Sequence, residues 1–241
     1  MSLFTRLATK LSYLRDFYLF QSSGFPKIKR EDISKSVLKK YLPPNPVIID
    51  CGAHDGTDSV ELARILKGTI HAFEPVNEIF ERLKKNTGSY NNIRRYQLAL
   101  SDRNGTQQFF VSEGGSDASS SLLEPQDHLL DHPDTKFTNK IEVQSLTLDD
   151  WAKTNNIKNV DLLWLDMQGF ELNMLKASVS ILDTVRVIHT EISTKETYKG
   201  VSLYKEYREF LESKNFSVVM EAIPQGWDMG NVLFVRRDNL Q

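Results

Sequence analysis

The sequence predicts an α/β fold: a mostly parallel sheet with helices on both faces and a last strand running antiparallel to its neighbour. Two patterns carry this expectation. From Pro46 onward short apolar runs alternate with helical patterns, the arrangement that lays parallel strands side by side under helices. Near the C-terminus the apolar runs Phe216 to Ile223 and Val232 to Val235 are joined by turn residues 224–229, six residues, too few for the crossover helix a parallel pair needs. The composition agrees: 241 residues, 40% hydrophobic and 26% charged, with 12 Gly and 8 Pro, suit a globular chain. One cysteine, Cys51, forms no disulfide scaffold and no Cys-rich zinc site, and fits a reducing, cytoplasmic setting.

Residues 1–45 read as an N-terminal helical extension. Phe4, Leu7, Leu11, Leu14 and Tyr18 recur at spacings of three and four, one apolar stripe on a helix over 3–20. Arg6, Lys10, Arg15 and Asp16 interrupt it, so it is neither a membrane span nor a signal-peptide core. Such a helix packs on the core or associates with a partner chain, or it rests peripherally on a membrane; the pattern leaves these open. Gln21 to Pro26 end it.

The domain proper spans 46–241. Val47 to Asp50 reads as a strand, Asp58 to Lys67 as a helix, Thr69 to Phe73 as a strand, Asn77 to Lys85 as a helix and Ile93 to Leu100 as a strand. The turn Asp102-Arg-Asn-Gly105 and the strand Thr106 to Val111 look like an added hairpin. Residues 112–139, with Gly114-Gly115 and Ser119-Ser120-Ser121, lack any period and read as a lid or acceptor loop. His128 and His132 lie there without a third ligand, which suits surface residues better than a zinc site. Order resumes with Ile141 to Leu146, a short helix Leu148 to Trp151, the strand Val160 to Leu165, a helix Phe170 to Ala177, the strand Val185 to Ile192 and a helix over 201–214. No repeat of 20–50 residues is visible.

Open parallel sheets bind ligands beyond the carboxyl ends of their strands, near the switch in strand order. The first strand ends in Asp50-Cys-Gly-Ala-His-Asp-Gly56, where Gly52 and Gly56 permit a tight turn and close backbone approach. Glu61 stands where a capping-box partner would serve a helix opening near Asp58. The second strand ends in Glu74-Pro75, 22 residues beyond Gly52 and near the ~20-residue offset at which an acid meets a ribose diol. A dinucleotide site wants G-x-G-x-x-G, but His54 replaces a glycine and Asp50 and Asp55 put negative charge where pyrophosphate would sit. Carboxylates there suit a cationic nucleoside bearing an amine and a sulfonium, such as S-adenosylmethionine.

Five blocks in order, Asp50 to Gly56, Ala72-Phe-Glu-Pro75, Ala99-Leu-Ser-Asp102, Leu146-Thr-Leu-Asp149 and Asp161 to Glu171, resemble the FkbM-type methyltransferases. The resemblance covers about residues 46–192 and implies a Rossmann-like class I methyltransferase with a seven-stranded sheet. It also implies S-adenosylmethionine as cofactor and O-methyl transfer to a sugar or another small hydroxylated acceptor. Trp164 stands where the family often has Lys, and Gln168 where Glu is frequent, departures on the acceptor side. By this resemblance Asp50 and Gly52 hold the methionine part, Glu74 the ribose hydroxyls, and Ala99, Leu100 and Ser101 lie near adenine. Ala53, His54, Gly56 and Pro75 belong to the same cofactor-binding turns, and Ser121 in the aperiodic loop is a candidate to close over it.

Methyl transfer to oxygen needs a base for the hydroxyl proton. Asp166, closing a central strand beside Gly169, is the first candidate; Glu171, His189 and Glu191 are the others, the last two sharing one strand face by alternation. Asp166 and Glu191 are equally candidate Mg²⁺ ligands, which would lower the pKa of a bound hydroxyl. His189 in an apolar strand also reads as a core histidine, and Glu171 as a helix-start charge.

The net charge of −2 hides an asymmetry: residues 1–40 hold nine Lys/Arg against three Asp/Glu, and the rest 21 against 29. An acidic body argues against nucleic acid as partner. The aromatic-Pro motif of amine-directed methyltransferases is replaced by Asp166-Met-Gln-Gly169, which favours oxygen as acceptor. A nicotinamide-dependent reductase shares the β-α-β start but not the glycines, and a non-catalytic methyltransferase-like binding module would have lost the intact acid set.

Overall fold

The computed structural model describes residues 33–114, 117–126, 134–224 and 226–240. The expected helix over 3–20 and both loop histidines, His128 and His132, lie outside them. A seven-stranded sheet forms the centre, in the order β3-β2-β1-β7-β8-β10-β9. Its strands are β1 (Val47–Cys51), β2 (Thr69–Phe73), β3 (Ile93–Tyr96), β7 (Leu162–Leu165), β8 (Val187–Ser193), β9 (Phe216–Ala222) and β10 (Met229–Arg236). β10 inserts between β8 and β9 and is antiparallel to both, while the other neighbouring pairs are parallel. The short 223–228 connection dictates that reversal.

The central strands are buried on both faces, as their unbroken Val, Ile and Leu runs require. One face carries Ile48, Ile70, Leu162 and Val187 under α1 (Thr57–Leu66), α2 (Asn77–Thr87) and a 3-10 helix at Lys35–Lys40. The other carries Ile49, Leu163, Ile188 and Phe234 under α3 (Leu148–Thr154), α4 (Glu171–Lys176), α5 (Val179–Leu182) and α6 (Tyr204–Ser213). α1 buries Ser59, Leu62, Ala63 and Leu66, a stripe at helical spacing. Glu61 does not complete a capping box: Gly56 caps α1 without a side-chain bond, and Glu61 pairs instead with the buried Lys35 at 3.0 Å.

Two expectations need correction. The run 93–100 is not one strand, because the chain leaves the main sheet after Tyr96 and β4 (Ala99–Leu100) joins a separate three-stranded sheet, β4-β6-β5. Nor is 112–139 wholly irregular: β5 (Gly105–Gly114) and β6 (Thr135–Leu146) form a long antiparallel ribbon reaching into both its ends. Several inward positions of that ribbon are polar, among them Gln107, Ser112, Thr135 and Ser145, so apolar periodicity is blind to it. Residues 117–126 fold back onto it through a Phe110–Ser121 bridge and onto Tyr198 through Pro125. Among the described residues no helix is long and apolar enough to cross a membrane.

Candidate active site

β1 and β7 are neighbours although five strands separate them in sequence, so the sheet's switch point lies between their carboxyl ends. The β1–α1 turn takes positive φ at Gly52, His54 and Gly56 (82°, 48° and 85°). A Cβ on Gly52 would stand 1.8 Å from the carbonyl oxygen of Asp166, so glycine here lets the ends of β1 and β7 close together.

Between these ends and the β4–β6–β5 sheet lies an open cleft, about 600 Å³ of space counted out into solvent. Gly52, His54, Glu74, Pro75, Ala99, Leu100 and Asp166, all expected from sequence, line it. Ile79, Phe109, Leu122, Met167 and Phe170 give it apolar walls. Glu74 is buried; one carboxylate oxygen accepts the Val76 N–H at 2.8 Å, and the His54 backbone N–H bonds it too. Burial nevertheless raises its pKa to about 7. One rim is closed by residues 117–122: Asp117 bonds His54 at 3.0 Å and Arg82 at 2.5 Å.

The remaining cofactor candidates support the cleft from outside it. Asp50 lies on the α1 side of the sheet, accepts from the Ser59 hydroxyl, and is raised to about 7 by burial. Ala53 is buried in the same core, and Gly56 packs against Leu83 and Thr87. Ser101 accepts the Gln107 amide at 2.6 Å. Ser121 does not close over the cleft: its hydroxyl donates to the Gln168 carbonyl at 2.9 Å, tying the loop to the turn after β7.

That turn holds the catalytic candidates, and the structure divides them. Asp166 is reached by solvent through the cleft, while dense protein on its other sides desolvates its carboxylate. The Gln168 amide nitrogen donates to Asp166 at 2.7 Å and to Glu191 at 3.0 Å. Burial first, then mutual repulsion and the charge of Glu171, push Glu191 well above the usual carboxylate range; burial, against the Gln168 bond, raises Asp166. Glu171 does not join them. It is fully buried and accepts from Met167 N–H at 2.8 Å, Gly169 N–H at 3.3 Å and Tyr207 OH at 2.8 Å, so it builds the turn. His189 shares the strand face of Glu191 but sits two residues deeper, stacked at 3.6 Å on Trp164, with neither ring nitrogen bonded among the described residues. Burial lowers its pKa to about 3. Among the described residues no group of three or more His, Cys, Asp or Glu is arranged to hold a metal, and the Gln168 amide takes the place a cation would have between Asp166 and Glu191.

Sequence reasoning missed Gln168 as a site residue, and with it Tyr198, Asp117 and Arg82. Tyr198 OH donates to the Ser119 carbonyl at 2.8 Å and stands 3.3 Å from Gln168 Oε1. Only the Gln168 position carried a signal, its departure from the family's usual Glu; the others meet the site through contacts 28 to 79 residues apart in sequence.

Residues 50–218 match the methyltransferase FkbM domain. The chain is 33% identical over 207 residues to the 2-O-methyltransferase NoeI of Sinorhizobium fredii (strain NBRC 101917 / NGR234), covering 83% of this chain and 84% of that one. It is 23% identical to methyltransferase sdnD of Sordaria araneosa, covering 88% and 92%. The fold is also that of the Methanococcus jannaschii fibrillarin pre-rRNA processing protein, at 16% identity and a TM-score of 0.51, covering 90% of this chain and 84% of that one. A Rossmann-like class I sheet with its switch-point cleft, bearing this domain over most of its length, is a methyltransferase, and the chain belongs to the FkbM methyltransferase family.

Proposed function

We propose that the protein transfers a methyl group from S-adenosylmethionine to a hydroxyl of a small, uncharged, sugar-like acceptor, with Asp166 as the base. The observation that carries this is the place of Asp166: it lines the cleft at the switch point, open to solvent there, and the protein packed around it raises its pKa, which suits a base. The cleft fits the donor. Its walls at Leu100, Phe109 and Leu122 suit a purine, and Glu74 offers the ribose an acid. When bound, the donor supplies an electrophilic methyl on a sulfonium. Glu74 orients the nucleoside, the apolar walls exclude water, and Asp166 Oδ2 takes the proton as the acceptor oxygen attacks in line.

The 2-O-methyltransferase relative supports oxygen as the acceptor atom. The acids at the site, Asp166 and Glu191, disfavour a phosphorylated acceptor and nucleic acid alike.

Calorimetric titration with S-adenosylmethionine, S-adenosylhomocysteine and NADH, on the wild type and on Glu74→Ala, tests the donor. Binding of the first two, weakened about tenfold or more by the substitution, is expected. Binding of NADH, or of nothing, overturns the reading in favour of a reductase or a binding module. Methyl transfer to a panel of neutral polyols and glycans, lost in Asp166→Asn with donor affinity intact, tests the base.

A further inference from the structure

We propose that Gln168 is a positioning residue: its amide nitrogen, shared between Asp166 and Glu191, holds the two carboxylates as one pair and aims Asp166 at the acceptor hydroxyl. This rests on the reading of Asp166 as base. The two bonds, 2.7 and 3.0 Å, use both protons of one amide group, and both partners are acceptors when ionised.

The surroundings fix that amide. Gln168 takes φ +53°, an unfavourable backbone for a side chain larger than Gly, and Gly169 follows at +97°. Glu171 holds the turn from beneath through the Met167 and Gly169 N–H groups, and Ser121 bonds the Gln168 carbonyl from above. Gln168 is 9% exposed, with Tyr198 OH beside Oε1. A strained backbone secured from two sides presents one amide to two acids.

An amide brings hydrogen bonds without positive charge. Among the described residues no Lys or Arg side chain bonds either carboxylate. Asp166 faces Asp50 and Asp58 from β1 and α1, Glu171 from α4, and His54, itself bonded to Asp117, from the β1–α1 turn; Glu191 faces Glu171 and Tyr198. Carboxylates on β1, α1 and α4 thus resist a second negative charge on the pair, while solvent reaches Asp166 only through the cleft, and burial with mutual repulsion favours one shared proton. Gln168 decides where the single charge points.

Gln168→Met keeps the length and removes both donors; Gln168→Glu keeps the shape and adds a third acid. The free protein's carboxylates are followed by difference infrared or ¹³C NMR titration, and turnover by kcat and KM against pH. Gln168→Met is expected to raise the pair's titration midpoint by about one pH unit, the worth of a lost bond to a charged acceptor, and to lower kcat about 10- to 100-fold. KM for the donor stays put, and the acid limb of the kcat profile moves with the midpoint. Gln168→Glu moves the midpoint the same way and serves if the Met variant does not fold. An unchanged midpoint in a folded variant, or unchanged kcat, overturns the proposal. The titration needs no turnover, so an Asp166→Asn variant that stays active would sink the base reading while leaving the amide's hold on the pair separately decided.

Discussion

Replacing Glu171 with alanine removes the acceptor of three hydrogen bonds at once, from Met167 N–H, Gly169 N–H and Tyr207 OH. Glu171 is completely buried, so all three donors lose their partner in a region closed by Leu172, Leu175 and Tyr207. An orphaned buried donor costs about 1–3 kcal/mol, but the Gly169 contact is long, the new space can admit water, and a carboxylate that burial disfavours is also removed. The net loss comes to about 3–5 kcal/mol, in the range of broken buried networks. At about 2–4 °C per kcal/mol for a chain of this size, Tm falls by roughly 6–20 °C. Circular dichroism melts at neutral pH measure it, with Glu171→Gln as companion: one acceptor oxygen survives, so the fall is smaller. Turnover drops in both, since the 167–169 turn presents Gln168, and activity alone therefore decides nothing. A Glu171→Ala variant that melts within about 2 °C of the wild type yet has lost transfer would show chemistry at Glu171 and refute its assignment as a clamp.

Three further outcomes follow from the same geometry. Asp50 is raised by burial to about 7, so the folded state binds a proton that the unfolded chain releases near 4; its contribution is complete below about pH 4 and lost as pH rises through 7. Urea midpoints should fall between pH about 5.5 and about 8, less steeply in Asp50→Asn, and a flat profile would contradict this. His189 is lowered to about 3, so stability is lost as pH falls from about 6.5; His189→Phe keeps a ring on Trp164, resists acid better and leaves kcat within about twofold, whereas a tenfold loss would make His189 a base. Gly52→Ala combines φ +82° with a Cβ 1.8 Å from the Asp166 carbonyl and should abolish both donor binding and transfer, while Gly105→Ala, at φ +120° but with nothing within 4 Å, carries backbone strain without the clash and should keep both; a donor-binding Gly52→Ala protein would sink the close-packing account.

The central sheet was legible because its strands are buried on both faces and therefore written in Val, Ile and Leu: Val47-Ile-Ile, Leu162-Leu and Val187-Ile have no other use. The β5–β6 ribbon was not, since side chains such as Gln107 and Ser145 bond one another on its inner face, and hydrogen bonding leaves no apolar period. Site residues divide in the same way. Glu74 and Asp166 stand at the carboxyl ends of strands that periodicity locates, and strand ends are where such a sheet presents its chemistry. Glu171 and His189 look equally chemical in sequence; what removes them from the reaction is Tyr207, 36 residues away, and Trp164 across the β7–β8 register. Burial partners are a property of the fold, and a window of sequence does not contain them.

The cofactor side and the base side of the cleft are one mechanical object. Gly52 belongs to the turn that carries His54, whose backbone bonds Glu74, and it also touches the carbonyl of Asp166. Asp166 is tied through Gln168 to Glu191, and the Gln168 carbonyl through Ser121 to the loop that Tyr198 and Asp117 secure. A displacement anywhere along this chain moves the ribose-binding acid relative to the base. In-line transfer tolerates little such movement, about 1 Å costing on the order of a hundredfold in rate. Two non-glycine residues in left-handed backbone stand here, His54 on one side and Gln168 on the other, each beside glycines that also take positive φ, Gly52 and Gly56 with the first and Gly169 with the second. His54 and Gln168 hold a backbone that costs energy on either side of the switch point between β1 and β7, where the geometry they fix is what the reaction needs.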